Sequence, residues 1–170
     1  MHTTILIPLQ TTILYVGIAL FIFAAYGDVM TFRIPNKLVC AVALLGISRL
    51  VVIGDLSTAL YTMGASFLVL IVGFLLFCQG FWGGGDAKLT AAAALLVGYH
   101  DVPSSLFVMG ICGALFSFAV LFIRKSLPIW VGPFLAIRLS KARSVPYGVA
   151  IAAGGIATLL LQSSLSSFLR

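Results

Sequence analysis

Acidic residues are scarce in this sequence. It contains no Glu and only four Asp among 170 residues, and charged residues of both signs make up 8% of the chain. A soluble domain has about 25% charged residues. Hydrophobic residues reach 62%, and the mean hydropathy is +1.21. The composition therefore excludes an ordinary soluble domain and predicts an integral membrane protein whose surroundings are the lipid bilayer.

Two further patterns are missing. Cys40, Cys78 and Cys112 are isolated within apolar segments and lack the paired spacing that metal sites use. The basic residues that give the net charge of +6 flank apolar runs and do not alternate with aromatic residues. We therefore expect no metal, no other cofactor and no nucleic-acid partner.

The apolar runs predict an all-α fold of about six transmembrane helices in a single domain, residues 1–170. The fourth run has 13 residues and would reach about 20 Å as a helix, whereas the hydrocarbon core is about 30 Å thick. We expect residues 83–86 to supply the missing length as non-helical backbone that dips into the membrane. The predicted spans are residues 5–27, 38–53, 58–80, 87–99, 102–123 and 145–161.

The basic residues predict the orientation, because Lys and Arg near span ends stay on the cytoplasmic side. Eight of them fall on one side under this six-span topology, and only Arg49 and Arg170 fall on the other. This predicts that both termini lie outside. Residues 124–144, which carry five of the eight, are expected to form a cytoplasmic loop along the membrane interface.

Two of the four acids, Asp28 and Asp86, fall at the same basic edge, whereas Asp55 and Asp101 fall in outer turns. The structural interpretation of any of the four is a helix cap. Asp86, however, follows three glycines that contribute no packing side chains, which is typical of backbone lining a wet cavity. Two neighbouring carboxyl groups in a medium of low dielectric tend to share one proton, which supplies one base and one acid. Since Asp86 starts a helix and Asp28 ends one, the helix dipole favours Asp86 as the base.

These residues resemble the prepilin peptidases of type IV pilus systems, which belong to the Gly-x-Gly-Asp membrane aspartyl proteases. The resemblance rests on three segments that cover most of the chain's length and order. They are Gly83-Gly84-Gly85-Asp86 with Lys88, Asp28 followed by Arg33, Pro35 and Asn36, and Pro146-Tyr147-Gly148. It implies that Asp28 and Asp86 are the catalytic pair, that the other residues shape the site or bind substrate, and that the enzyme removes the basic leader of a prepilin at the cytoplasmic face of a bacterial inner membrane.

The longer members of this family carry an extra N-terminal portion with paired cysteines, and they are also associated with methylation of the new N-terminus. This sequence begins directly with a predicted span, so we do not expect methyltransferase activity. Its compact length resembles the branch that serves Flp-type, tight-adherence pili. The archaeal preflagellin peptidases are the alternative branch.

Two other classes of function fit the same acids. A small ion or solute carrier could bind protons or cations between Asp28 and Asp86, since broken helices and buried acids also occur in transporters. A non-catalytic subunit of pilus assembly would tolerate replacement of Asp28. The sequence leaves the oligomeric state open.

Overall fold

The computed structural model describes residues 2–31, 33–126 and 147–168 of the chain. These residues form six helices, and the described ranges contain no β-strand. In chain order the helices are α1 (His2–Thr31), α2 (Asn36–Ile53), α3 (Leu56–Cys78), α4 (Gly84–Val97), α5 (Val102–Ser126) and α6 (Gly148–Phe168). The predicted all-helical fold of six segments is confirmed.

Four of the helices have windows long and apolar enough to cross a membrane. They are Leu9–Thr31, Asn36–Ile53, Leu56–Cys78 and Val102–Ala119. Gly148–Ser164 of α6 is a shorter apolar stretch, and α4 is shorter still, with 14 residues. The protein is therefore a helical membrane protein in which a short helix is held among longer ones.

Helix α4 lies at the centre of the bundle. It packs against α2, α3 and α6, while α6 in turn packs against α1 and α5. Most of the side chains of α4 are buried, and many of them are alanines, which allow neighbouring helices to approach closely. The buried residues are Ala87, Leu89, Thr90, Ala91, Ala92, Ala93, Ala94, Leu96 and Val97.

Glycines on the neighbouring helices complete this close packing. A Cβ atom added to Gly46 of α2 would lie 3.0 Å from the backbone of Leu95, and one added to Gly73 of α3 would lie 3.0 Å from the Cβ of Ala87. Both distances are shorter than ordinary contacts, so these positions need a residue without a side chain. The opposite surface of α3 is rich in exposed large apolar residues, as expected for a helix that faces lipid.

Three boundaries differ from the sequence prediction. Helix α1 continues to Thr31, so Asp28 lies within its last turn and not beyond its end. Helix α4 begins at Gly84, so the expected non-helical segment 83–86 is wrong for three of its four residues. Glycine weakens a helix interior, but the first turn requires few intrahelical N–H bonds and accepts it more readily.

The predicted interfacial loop, residues 124–144, also begins too early, because α5 runs to Ser126. The remainder of that loop, together with Pro146, lies outside the described residues.

Candidate active site

Asp28 is buried at the end of α1, with 4% of its surface exposed. Its Oδ2 accepts a hydrogen bond of 2.7 Å from the backbone N–H of Gly148, the first residue of α6. The contact is so close that a Cβ atom on Gly148 would lie 2.7 Å from Oδ2 and 2.8 Å from Cγ of Asp28. Gly148 therefore lets α6 begin directly against this carboxyl group, which occupies the position of an N-terminal anion for α6.

Asp86 lies in the first turn of α4, and Gly83 is the N-cap residue. The carboxyl group folds back over Gly83, where an added Cβ would lie 2.8 Å from Oδ2 of Asp86. The backbone N–H of Gly83 lies near the carboxyl group, in the sense of the reach-back half of a capping box. The missing side chain at Gly83 makes room for the carboxyl group of Asp86 in this position.

The two glycines after Gly83 serve packing. Gly84 faces the ring of Phe77 at the end of α3, and Gly85 faces Ile34 in the connection between α1 and α2. Ile34 in turn packs against the hydrophobic core. The glycine triplet therefore brings the start of α4 close to the end of α3 and to the α1–α2 connection, so that Asp86 lies at the same end of the bundle as Asp28.

The structure brings the two acids together. Asp28 lies close enough to Asp86 for the charges on the two groups to interact. Each group also lies beside a backbone N–H at the start of a helix, that of Gly148 in α6 for Asp28 and that of Gly83 before α4 for Asp86. Repulsion disfavours two charges at this spacing, whereas the N–H groups stabilise one, so the arrangement suits a pair that holds one proton between them.

The remaining residues predicted for the site lie around this pair to different extents. Arg33, Pro35 and Asn36 are exposed in the α1–α2 connection and at the start of α2, and Lys88 is the exposed residue of the early part of α4. Tyr147 is half-buried in the turn before α6, and its ring lies 3.6 Å from the position of a Cβ on Gly113. None of these side chains has a described hydrogen bond to either acid, so the structure does not link them to the pair.

No group of three His, Cys, Asp or Glu residues that could hold a metal ion occurs among the described residues. The chemistry that the described geometry offers is transfer of protons between two carboxyl groups and a bound reactant.

One polar cluster at the opposite end of the bundle was not predicted as a unit. It joins Arg49 of α2, Gln162 of α6 and Asp101 of the α4–α5 turn. The charge pattern of the sequence assigns Arg49 only as one of two basic residues on the outer side. The available signal was its position within an apolar span, where an arginine needs buried partners.

Comparisons with known proteins identify the family to which the chain belongs. The sequence model of the type IV leader peptidase family matches residues 15–118, a range that contains both Asp28 and Asp86. A prepilin leader peptidase/N-methyltransferase of Bacillus subtilis is 31% identical over 155 residues. That match covers 90% of this chain and 57% of the relative, so the chain spans little more than half the relative's length. No solved structure matches the chain significantly. The family match covers more than half of the sequence, and the chain belongs to the type IV leader peptidase family.

Proposed function

We propose that this protein is a membrane-embedded aspartyl endopeptidase that removes the basic leader from prepilin-like substrates. The observation that carries the proposal is the pairing of Asp28 with Asp86 at one end of the bundle, with Asp28 bonded to the N–H of Gly148 and Asp86 folded back over Gly83. Membership of the type IV leader peptidase family supports the same chemistry.

The proposed reaction is hydrolysis of a peptide bond by a water molecule between the two carboxyl groups. The ionised acid takes a proton from the water as its oxygen attacks the carbonyl carbon, and the protonated acid donates to the carbonyl oxygen. The tetrahedral intermediate then breaks its C–N bond, and the proton taken from water passes to the leaving amine. As the C=O bond re-forms, the proton on the former carbonyl oxygen returns to the acid that donated it. A carboxylic acid and a new amine result, and the pair again holds one proton.

The assignment of base and acid stays open between the two residues. The helix-dipole argument favours Asp86 as the base, because Asp86 lies at the start of α4. However, Asp28 accepts the first N–H of α6, so it also lies at a helix N-terminus, contributed by another part of the chain. The dipole therefore stabilises an anion at both positions and does not separate their roles.

The substrate class follows from the family and from the position of the pair. We infer that the substrate is a Flp-type prepilin or a similar pseudopilin, cleaved where its basic leader meets an apolar segment. Arg33, Lys37 and Lys88 are exposed at the same end as the acids, where positive charge predicts the cytoplasmic side of a bacterial inner membrane. An apolar segment of the substrate could remain in lipid while its leader reaches the pair from the cytoplasm.

Substitution of each acid tests the proposal. Purified wild type, Asp28→Asn and Asp86→Asn are incubated with a Flp-type prepilin, and leader removal is followed by its mobility shift and by mass spectrometry. The activity of each variant should fall by about 10²- to 10⁴-fold, the range expected for loss of a general acid or base. Asp55→Asn is the matched control, because Asp55 caps α3 and Asn also caps helices.

Cleavage by either variant at the wild-type rate would exclude the pair as the catalytic unit. The carrier interpretation would then be tested by proton or cation flux into vesicles that contain the protein. Loss of cleavage in Asp55→Asn as well would show that the substitution acts through folding and not through the site.

A further inference from the structure

The polar cluster at the end of the bundle away from Asp28 and Asp86, here called the far-end cluster, consists of Arg49, Gln162 and Asp101 with the last carbonyl groups of α4. Nη1 of Arg49 donates to the carbonyl oxygen of Val97 at 2.7 Å and also to that of Leu96. Both acceptors belong to the last turn of α4. The arginine of one helix therefore caps the C-terminus of another, where a positive charge is favoured by the helix dipole.

The cap is needed because α4 is short. Its 14 residues span about 21 Å at 1.5 Å per residue, less than the hydrocarbon thickness of about 30 Å. The last carbonyl groups of such a helix have no intrahelical donors, and lipid offers none. Gly98, at a φ of 94°, ends the helix and donates its N–H to Ala94. Arg49 supplies donors to the two carbonyl groups that follow Leu95.

Gln162 extends this cap to α6. Its Oε1 accepts from Nη2 of Arg49 at 3.0 Å, and its Nε2 donates to the carbonyl oxygen of Val97 at 2.8 Å and to the carboxylate of Asp101. A single network therefore connects α2, the C-terminus of α4, the turn before α5 and the side of α6. Side-chain packing alone does not fill this region, since a cavity of about 190 Å³ adjoins Arg49, Val97 and Gln162.

Two of the elements in this network, α4 and α6, contribute to the candidate site at their other ends. Helix α4 carries Asp86 at its start, and α6 carries Gly148, which bonds to Asp28. A helix transmits a displacement along its axis from one end to the other, so a shift of the C-terminus of α4 moves Asp86 relative to Asp28. The distance along α4 from Val97 to Asp86 is about 16 Å at 1.5 Å per residue.

We propose that Arg49 is a positioning residue for the acid pair: by holding the C-terminus of α4 to α6, it sets the position of Asp86 relative to Asp28. The inference rests on the proposed function only where activity is measured. Arg49 does not touch the reacting atoms in this scheme. Arg49 contributes by fixing where α4 lies along the helix axis.

A direct test measures the geometry of the pair without catalysis. Asp28→Cys and Asp86→Cys are combined in a chain whose three native cysteines are replaced by alanine, and cross-linking is followed with a short bifunctional thiol reagent. Adding Arg49→Met should slow cross-linking by at least about fivefold, because joining two thiols depends steeply on their separation. Val51→Met is the matched control, since it places the same side chain two residues further along α2, where Val51 is 74% exposed.

The activity arm uses the chain with both acids and all native cysteines intact. Arg49→Met should lower kcat by about tenfold or more while KM changes less than about twofold, because misplacement of catalytic groups by a fraction of an ångström acts on the chemical step. Arg49→Lys, which keeps the charge but not the forked donors, should recover part of the loss. Thermal unfolding in detergent gives the folded fraction to which each kcat is referred.

The outcomes separate this proposal from the proposed function. Equal cross-linking rates with and without Arg49→Met, or an unchanged kcat per folded molecule, would overturn the positioning role. Absence of any cross-link in both chains would instead remove the pairing of Asp28 with Asp86, and with it the proposed function. If Arg49→Met does not fold, Gln162→Leu decides the question, because it removes the link to α6 and leaves Arg49 on the carbonyl groups of α4. Cross-linking at the wild-type rate in Gln162→Leu would overturn the proposal.

Discussion

The contact between Gly148 and Asp28 makes a sharp prediction for Gly148→Ala. A methyl group at this position would lie 2.7 Å from Oδ2, 2.8 Å from Cγ and 2.9 Å from Cβ of Asp28. Ordinary van der Waals contact begins near 3.4 Å, so the start of α6 and the end of α1 must separate by about 0.7 Å. The side chain of Asp28 cannot avoid the clash by rotating, because its own Cβ is among the atoms that the methyl group would meet.

The expected result is a larger effect on catalysis than on folding. Displacement of a catalytic group by about 1 Å costs on the order of 10²-fold in rate, so kcat should fall by about 10- to 100-fold. Overpacking of a buried contact costs about 1–3 kcal/mol, which a membrane bundle of this size should tolerate. The measurements are steady-state cleavage of a prepilin and thermal unfolding in the same detergent.

Gly64→Ala is the matched control for this experiment. An added Cβ at Gly64, within α3, meets nothing within 4 Å, and alanine is a better helix former than glycine. Its activity should equal that of wild type, and its stability should be equal or slightly higher. If Gly148→Ala cleaves at the wild-type rate while remaining folded, then the bond from Gly148 to Asp28 is unimportant for the reaction and the proposed site geometry is wrong.

Three further substitutions test other parts of the structure. Gly83→Ala would place a methyl group 2.8 Å from Oδ2 of Asp86. It should therefore lower kcat by about tenfold with little change in unfolding temperature. An unchanged kcat would contradict the folded-back position of Asp86. Gly46→Val should destabilise the protein by about 1–3 kcal/mol, because the added atoms meet the backbone of α4, whereas an unchanged denaturation midpoint would argue against that close crossing. Asp55→Ala removes the cap of α3, whose hydrogen bonds from Thr58 and Ser57 lower the pKa of Asp55 to about 2. Because the folded pKa is depressed, the stabilisation by Asp55 is fully present above the ordinary pKa near 4 and is lost as the pH falls through about 2. The unfolding temperatures of wild type and Asp55→Ala should therefore differ at pH 7 and converge near pH 2, and a difference that does not depend on pH would refute the assignment.

The sequence was sufficient to place both acids at one end of the bundle. Successive spans joined by short connections alternate in direction, so residues at the end of the first span and the start of the fourth must lie at the same edge. The number of helices followed from the number of apolar runs, because each run between polar or charged turns is one span. Asp55 was also predicted correctly as a cap, because Asp followed closely by Ser and Thr before an apolar run is a local signal.

Contacts between distant parts of the chain were beyond this kind of reasoning. The bond between Gly148 and Asp28 joins residues 120 positions apart, and nothing in local periodicity relates them. The same holds for Arg49 and Gln162, which are 113 positions apart. The helical start at Gly84 was missed because glycine was judged by its propensity in a helix interior, although a glycine in the first turn costs less, and at Gly83 an added Cβ would lie only 2.8 Å from Oδ2 of Asp86.

All four carboxyl groups of the Asp side chains lie at the start of a helix. Asp55 caps α3, Asp86 lies in the first turn of α4, and Asp101 directly precedes α5. Asp28 accepts the first N–H of α6, although it belongs to α1. Position at a helix start therefore does not distinguish a catalytic acid from a cap in this protein. Their partners differ, because Asp55 bonds within its own turn and Asp101 lies beside Gln162 and Arg49, whereas Asp28 and Asp86 lie close enough for their charges to interact. Hydrogen-bond donors favour the ionised form of a carboxyl group, whereas a second carboxyl group nearby disfavours it. Among the four acids, only Asp28 and Asp86 combine both influences, which is the balance that the proposed exchange of one proton between them requires.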